Sequence, residues 1–306
     1  MAEGIYFCCG IDGKLGEIVG LFQKKRLKAQ AVVTRGMSLE TVTDTGGYEF
    51  GVMWQPEQRQ GSVVLFGDES FSPEVVHQWR QNVCAMDQVL VVMVVWSADA
   101  VPRVVVTFDA AGKKRDDFLT WLAVRLLDVY SPSELDVMWW PQTAANITTY
   151  ASSLWAPDSP PVFPPFAKDL EEHHNWIGCD QTYRVAFDVL LSGMCGEEIA
   201  TEIESLVLSS SLESSEQVHF VELARPIEPV MLEDNPDALP FRRTGVILLS
   251  ADNAEQCEDF ISDLVASLSA RARVRTTRLY GRQHVGVLLA GGVPVYGWQH
   301  SDGFVR

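Results

Sequence analysis

The spacing of apolar residues along this chain switches repeatedly between two and three-to-four, and that switching predicts its elements. It is clearest from residue 244 to 298. GVILLS is short and continuously apolar, as a strand covered on both sides would be. Asp252-x-x-Glu255 then opens a helix, with Asp252 as cap and Glu255 reaching back to it. Its apolar face carries Phe260, Ile261, Leu264, Val265 and Leu268. A strand over 273–280 follows, and the alternation in HVGVLLAGGVPVYGW predicts a terminal hairpin.

The same order is found upstream. Residues 1–35 give a strand at Ile5-Tyr6-Phe7 and a helix through Leu15, Ile18, Val19 and Phe22; AVVTRG and the run from Tyr48 to Trp54 are further strands. From Ser62 the pattern is regular. SVVLF is a strand, Ser72-Pro73-Glu74 starts a helix with Pro at its first position, and Val89 to Trp96 is a buried strand. RVVVTFD, a helix from Lys113 to about Val129 and LDVMWW complete β-α-β-β-α-β. The second half repeats it with YRVAFDVLL, a helix over about 197–208, QVHFVELA and the stretch from Gly245 onward.

The expected fold class is therefore α+β: two ferredoxin-like (β-α-β-β-α-β) units, with helices packed on mainly antiparallel sheets. Pro157, Pro160, Pro161, Pro164 and Pro165 interrupt the rhythm between Pro141 and Asp180. This predicts an N-terminal domain over 1–140 with its split βαβ core at about 62–140, a stiff connection over 141–181, and a C-terminal domain over 182–306 that ends in the hairpin. An ordered strap wrapped over one domain is the alternative.

Composition adds charge to this picture. The 306 residues are 47% hydrophobic and 21% charged, with a formal net charge of −17. Between Phe166 and Pro240, 16 acidic residues stand against 3 basic ones. Such a surface repels phosphate backbones and favours a basic protein partner, so nucleic acid is not expected as a ligand. The longest uncharged apolar run, Val89 to Trp96, is far below the ~20 residues of a spanning helix, so no membrane association is expected. The first residues show no basic start followed by an apolar core, which predicts a cytoplasmic protein.

Motifs for catalysis are weak. Gly10-Ile11-Asp12-Gly13-Lys14-Leu15-Gly16 lacks the spacing and hydroxyl of a phosphate loop and is read as a turn. Glu171, Glu172, His173, His174 and Cys179 lack the spaced pairs of a zinc site. Cys8, Cys9, Cys84, Cys179, Cys195 and Cys257 contain no C-x-x-C pair and are expected as buried thiols. No catalytic residue, metal or cofactor is assigned. Arg271, Arg273, Arg275, Arg278 and Arg282 form a basic cluster that could grip an anion or nucleic acid through forked contacts, but in so negative a field it is read as neutralising the acidic helix 197–204 across the domain.

These features predict a non-enzymatic protein that binds a basic protein partner. One concrete form is an immunity-type protein that neutralises a basic toxin or effector domain. The recognition residues would be Glu197, Glu198, Glu202 and Glu204 for charge, with Trp155 and Trp176 as aromatic anchors. An enzyme with its site between the halves, or a structural subunit of a larger assembly, are the alternatives.

Overall fold

The computed structural model describes residues 36–67, 72–98, 100–130, 139–155, 160–165, 170–179, 182–193, 195–210, 216–226 and 241–295. The expected elements of 1–35 with their glycine turn and Cys8–Cys9, most of LDVMWW, and the end of the terminal hairpin lie outside these residues.

The first half holds strands β1 (Ser38–Thr43), β2 (Glu49–Gln55) and β3 (Gln60–Phe66), then helix α1 (Pro73–Cys84). Strands β4 (Val89–Ser97) and β5 (Ala100–Asp109), helix α2 (Arg115–Tyr130) and the short β6 (Trp140–Pro141) follow. Helix α3 (Ala144–Trp155) and a hairpin of β7 (Glu171–Glu172) and β8 (Ile177–Cys179) occupy the Pro-rich stretch. The second half holds β9 (Thr182–Val189), α4 (Gly196–Ser209), β10 (Gln217–Pro226), β11 (Phe241–Ala251) and α5 (Ala254–Ser267). It closes with α6 (Ala270–Arg275), β12 (Thr276–Arg278) and α7 (Gln283–Ala290).

All strands join one large antiparallel sheet, so the chain is mixed α and β as its two periodicities imply. The order is β1-β2-β3-β5-β4-β10-β11-β9-β8-β7, with β6 also on β3 and β12 also on β9. The halves meet at β4 and β10, where Ser97 lies opposite His219 and Val92 opposite Ala224. Strands 89–97 and 100–109, consecutive in the β-α-β-β-α-β order, pair with each other.

Side chains alternate across each strand, so the sheet has two distinct faces. One carries Val52, Trp54, Leu65, Val94, Trp96, Val106, Phe108, Phe187, Phe220 and Ile247, and forms the main core with α1, α2, α4 and α5. Ser72 caps α1, accepting from the Val75 amide, and Pro73 fills the first helical position. The opposite face carries Met53, Val105, Val221, Ala186 and Leu248, all buried. The helices α3 and α7 pack against strands of the sheet and against each other.

Besides helix α3 and the β7–β8 hairpin, which stand where a stiff connection was expected, two stretches of the second half differ from expectation. Residues 283–290 form helix α7, not a hairpin arm, and 270–275 form a short helix before the strand. All eight residues of α7 are buried, so no exposed polar face marks a helical period, and the glycines and valines mimic strand alternation. At Gly286 an added Cβ would come within 2.3 Å of the Ala186 Cβ, so the helix backbone rests directly on β9. Gln283 fixes this docking: its side-chain oxygen accepts from the Ala186 amide at 2.6 Å and its nitrogen donates to the Leu279 carbonyl at 2.6 Å.

Candidate functional site

The four glutamates of α4 point to different places. Glu204 is buried and bonds His77 of α1 at 3.0 Å. Glu197 is ion-paired with Arg243, and Glu202 accepts from the backbone and hydroxyl of Ser269. Glu198, exposed, meets Arg271 at 3.4 Å. Trp155 is 1% exposed and belongs to the interior. Trp176 is half-buried between His173 and Tyr183, with ring centroids at 4.0 and 4.4 Å. The six sequence-selected residues therefore do not gather into one patch.

The arginine cluster disperses in a similar way. Arg271 meets Glu198 of α4, with both side chains exposed. Arg278 makes a forked contact with Glu258 of α5 at 3.0 to 3.2 Å. Arg273 and Arg275 donate to the carbonyls of Leu268 and Ser192. In the Glu171–Cys179 stretch, Glu172 is buried and pairs with His284 Nδ1 at 2.8 Å. Among the described residues no group of three or more His, Cys, Asp or Glu is placed to hold a metal ion.

Two arrangements remain as candidate sites. The first is the outer side of α5. Glu255, Asp259 and Asp263 are all exposed, and their i, i+4, i+8 spacing sets them in one stripe along the helix. None has a cationic partner among the described residues. Tyr183, against which Trp176 stacks, borders the same helix, and its phenol is pushed up to about 12 by burial and by Glu258.

The second is a polar group on the sheet face opposite the main core. Arg103 of β5, His219 of β10 and Ser250 of β11 share this face by strand alternation. The Arg103 guanidinium lies 3.2 Å from the centroid of the Tyr150 ring and 4.6 Å from that of Phe66. It meets no carboxylate among the described residues, and its Nε has no partner. Burial lowers its pKa, with Tyr150 opposing. His219 is 6% exposed with Nδ1 unpaired. Burial, then Arg103 and Arg184, push its pKa down to about 4, so the ring is neutral at physiological pH. The Ser250 hydroxyl is buried without a partner as well. Sequence reading passed over this group because a lone His, Ser and Arg in three separate strands carry no spacing signal. Only the strand order brings them to one face.

No family model matches the chain, and no curated protein does. Twelve chains of solved structures match. One is CrmK, described as a flavoenzyme involved in the shunt product recycling mechanism in caerulomycin biosynthesis. It shares 10% identity at a TM-score of 0.32, over 76% of this chain and 54% of that one. The chain thus spans about half the length of that protein. A superposition so loose leaves fold and function to be argued from this chain alone.

Proposed function

We propose that this is a cytoplasmic, acidic, protein-binding protein whose partner presents a basic surface, one form being an immunity-type neutraliser of a basic toxin or effector domain. The reading rests on the stripe of Glu255, Asp259 and Asp263 on α5. Like charges at i, i+4 destabilise a helix by about 0.2–0.5 kcal/mol per pair, and among the described residues no cation offsets them. A basic partner would supply that offset and would be steered toward the stripe before contact. With Glu197, Glu202 and Glu204 engaged inside the molecule, α5 is a better recognition surface than α4. Trp176 of the original pair remains a candidate anchor, because it stacks on Tyr183 beside the same helix.

The fold supports a finer reading as well. The order β6-β3-β5-β4 in the first half, and β12-β9-β11-β10 in the second, supports reading each as a ferredoxin-like unit. We take about 62–140 and 182–280 as two such units, set edge to edge at β4 and β10. A continuous sheet of this kind would hold α5 firmly for docking.

The test is capture of partners from the native host with mass spectrometry, then association kinetics across salt with the captured protein. Reversing Glu255, Asp259 and Asp263 to Lys should slow association and remove its salt dependence while dissociation changes little. An association rate that is insensitive to salt and to the three reversals would refute the acidic docking surface.

A further inference from the structure

We propose that His173 and Glu171 receive an arginine side chain of the basic partner. This rests on the protein-binding reading above and adds the contact that holds that partner. His173 is the outer end of a stack of rings that begins at Tyr183 of β9, beside α5, and passes through Trp176. The planes of His173 and Tyr183 are tilted from that of Trp176 by only 17° and 25°. Two such rings, with centroids 4.0 and 4.4 Å from one indole, cannot share a face of it, so they cover opposite faces. Trp176 therefore has no face left for a partner, and the open end of the stack is His173. The His173 side chain is 45% exposed although Trp176 covers one side of its ring, so the other side is turned to solvent.

Local structure holds this end in place. Residues 173–176 form the turn between β7 and β8, closed by the His173 amide donating to the Trp176 carbonyl at 2.8 Å. The Gly281 amide donates to the His174 carbonyl at 2.6 Å and ties the turn to the segment before α7. At Gly178 an added Cβ would lie 2.8 Å from the Trp176 ring, so glycine is what lets the indole lie against β8. Glu171, two residues before His173, is exposed, and its carboxylate stands 4.0 Å from His173 Nε2. A flat ring with a carboxylate at its rim suits a guanidinium, which stacks on the ring and forks onto the oxygens. A compact ammonium has neither the plane nor the fork. The chain already holds one of its own arginines in this way. Arg278 lies over the Phe187 ring at 5.6 Å and forks onto Glu258 at 3.0 to 3.2 Å. Strand β7 ends the strand order of the sheet, and the net charge of −17 draws cations toward it while repelling phosphate.

The experiment titrates the full chain with two probes, pentalysine and the same peptide with arginine at its centre. Affinity and the imidazole nitrogen resonances of His173 are the readouts. The arginine peptide should bind about two- to fivefold tighter, the size of a ring–cation contact at an exposed site, and should shift the His173 signals. His173→Ala should remove the difference. His173→Phe should keep it, because the ring rather than its nitrogens makes the contact, and Glu171→Gln should reduce it. Equal affinities in wild type would overturn the proposal, and so would a preference for arginine that survives His173→Ala. Reversing Glu255, Asp259 and Asp263 to Lys separates this anchor from the docking surface on α5. With both in place, the reversals weaken both peptides and leave their ratio unchanged. Equal affinities that fall with the reversals strike the anchor alone. An arginine preference with affinities that ignore the reversals strikes the docking surface alone, and binding of neither peptide strikes both.

Discussion

Arg80 of α1 and Arg243 of β11 hold one buried carboxylate, that of Glu222, and thereby link the two halves of the chain next to the β4–β10 seam. All three residues are at most 4% exposed. Glu222 sits opposite Val94 across the seam, so its side chain enters the layer under α1 and α4. Burial pushes its pKa up, but Arg80 and Arg243 outweigh that and hold the carboxyl at about 2.

Replacing Glu222 by Gln should therefore destabilise the fold by about 3–5 kcal/mol, because two buried guanidinium groups lose their shared anion. The pH profile gives a second check. A carboxyl whose folded pKa is depressed from 4.5 to about 2 contributes stability above 4.5 that is lost as pH falls toward 2. Denaturant titrations should show that decline in wild type and a shallower one in Glu222→Gln.

His219 should give a separate window. Its folded pKa of about 4 lies below the ordinary 6.5, so the unfolded chain takes up a proton first. Stability is complete above 6.5 and falls as pH drops toward 4, by up to about 3 kcal/mol for a shift of this size. His219→Gln should flatten the profile in this range while leaving the steeper fall below 4.5. An unchanged slope between 6.5 and 4.5 would show that His219 titrates normally.

Gly286→Ala tests the seat of α7. Alanine raises helix propensity, by about 1 kcal/mol, yet here its methyl would collide with Ala186. Overpacking of this kind costs about 1–3 kcal/mol, so the net effect should be destabilising. Ala186→Gly in the same chain should recover part of the loss, and a double-mutant cycle measures the coupling.

The core side of α5 should show a gradient. Leu264 is 7% exposed, whereas Phe260 is only half-buried against the same cluster. Leu264→Ala should cost about 2–5 kcal/mol, with Phe260→Ala at the low end of that range or below it. Equal and negligible effects in chemical denaturation would mean the helix presents another face to the sheet.

Local chemistry made much of this fold legible. Ser72-Pro73 announced α1, and the apolar run at Val89 announced β4 because a strand covered on both faces has no polar positions. Even near misses were local: Asn253, not Asp252, caps α5, accepting from the Gln256 amide at 2.9 Å. Helix α3 was hidden because its stretch was read by its prolines, although Ala144–Trp155 itself contains none. The candidate sites were less legible. Glu204 and Glu198 look alike in sequence, yet one is 2% exposed and the other lies on the surface. Which of two such glutamates turns inward depends on His77, 127 positions away.

The seam between β4 and β10 also constrains how the chain is made. Some 120 residues lie between Ser97 and its partner His219, about 6–25 s of synthesis at ~5–20 residues per second. Throughout that interval the hydrogen-bonding edge of Val92–Trp96 is complete but has nothing from its own chain to close it. An apolar strand edge in that condition is a template for any other extended segment nearby. A chain released before β10 would leave this edge open permanently, so truncation ahead of Gln217 should give a product that self-associates.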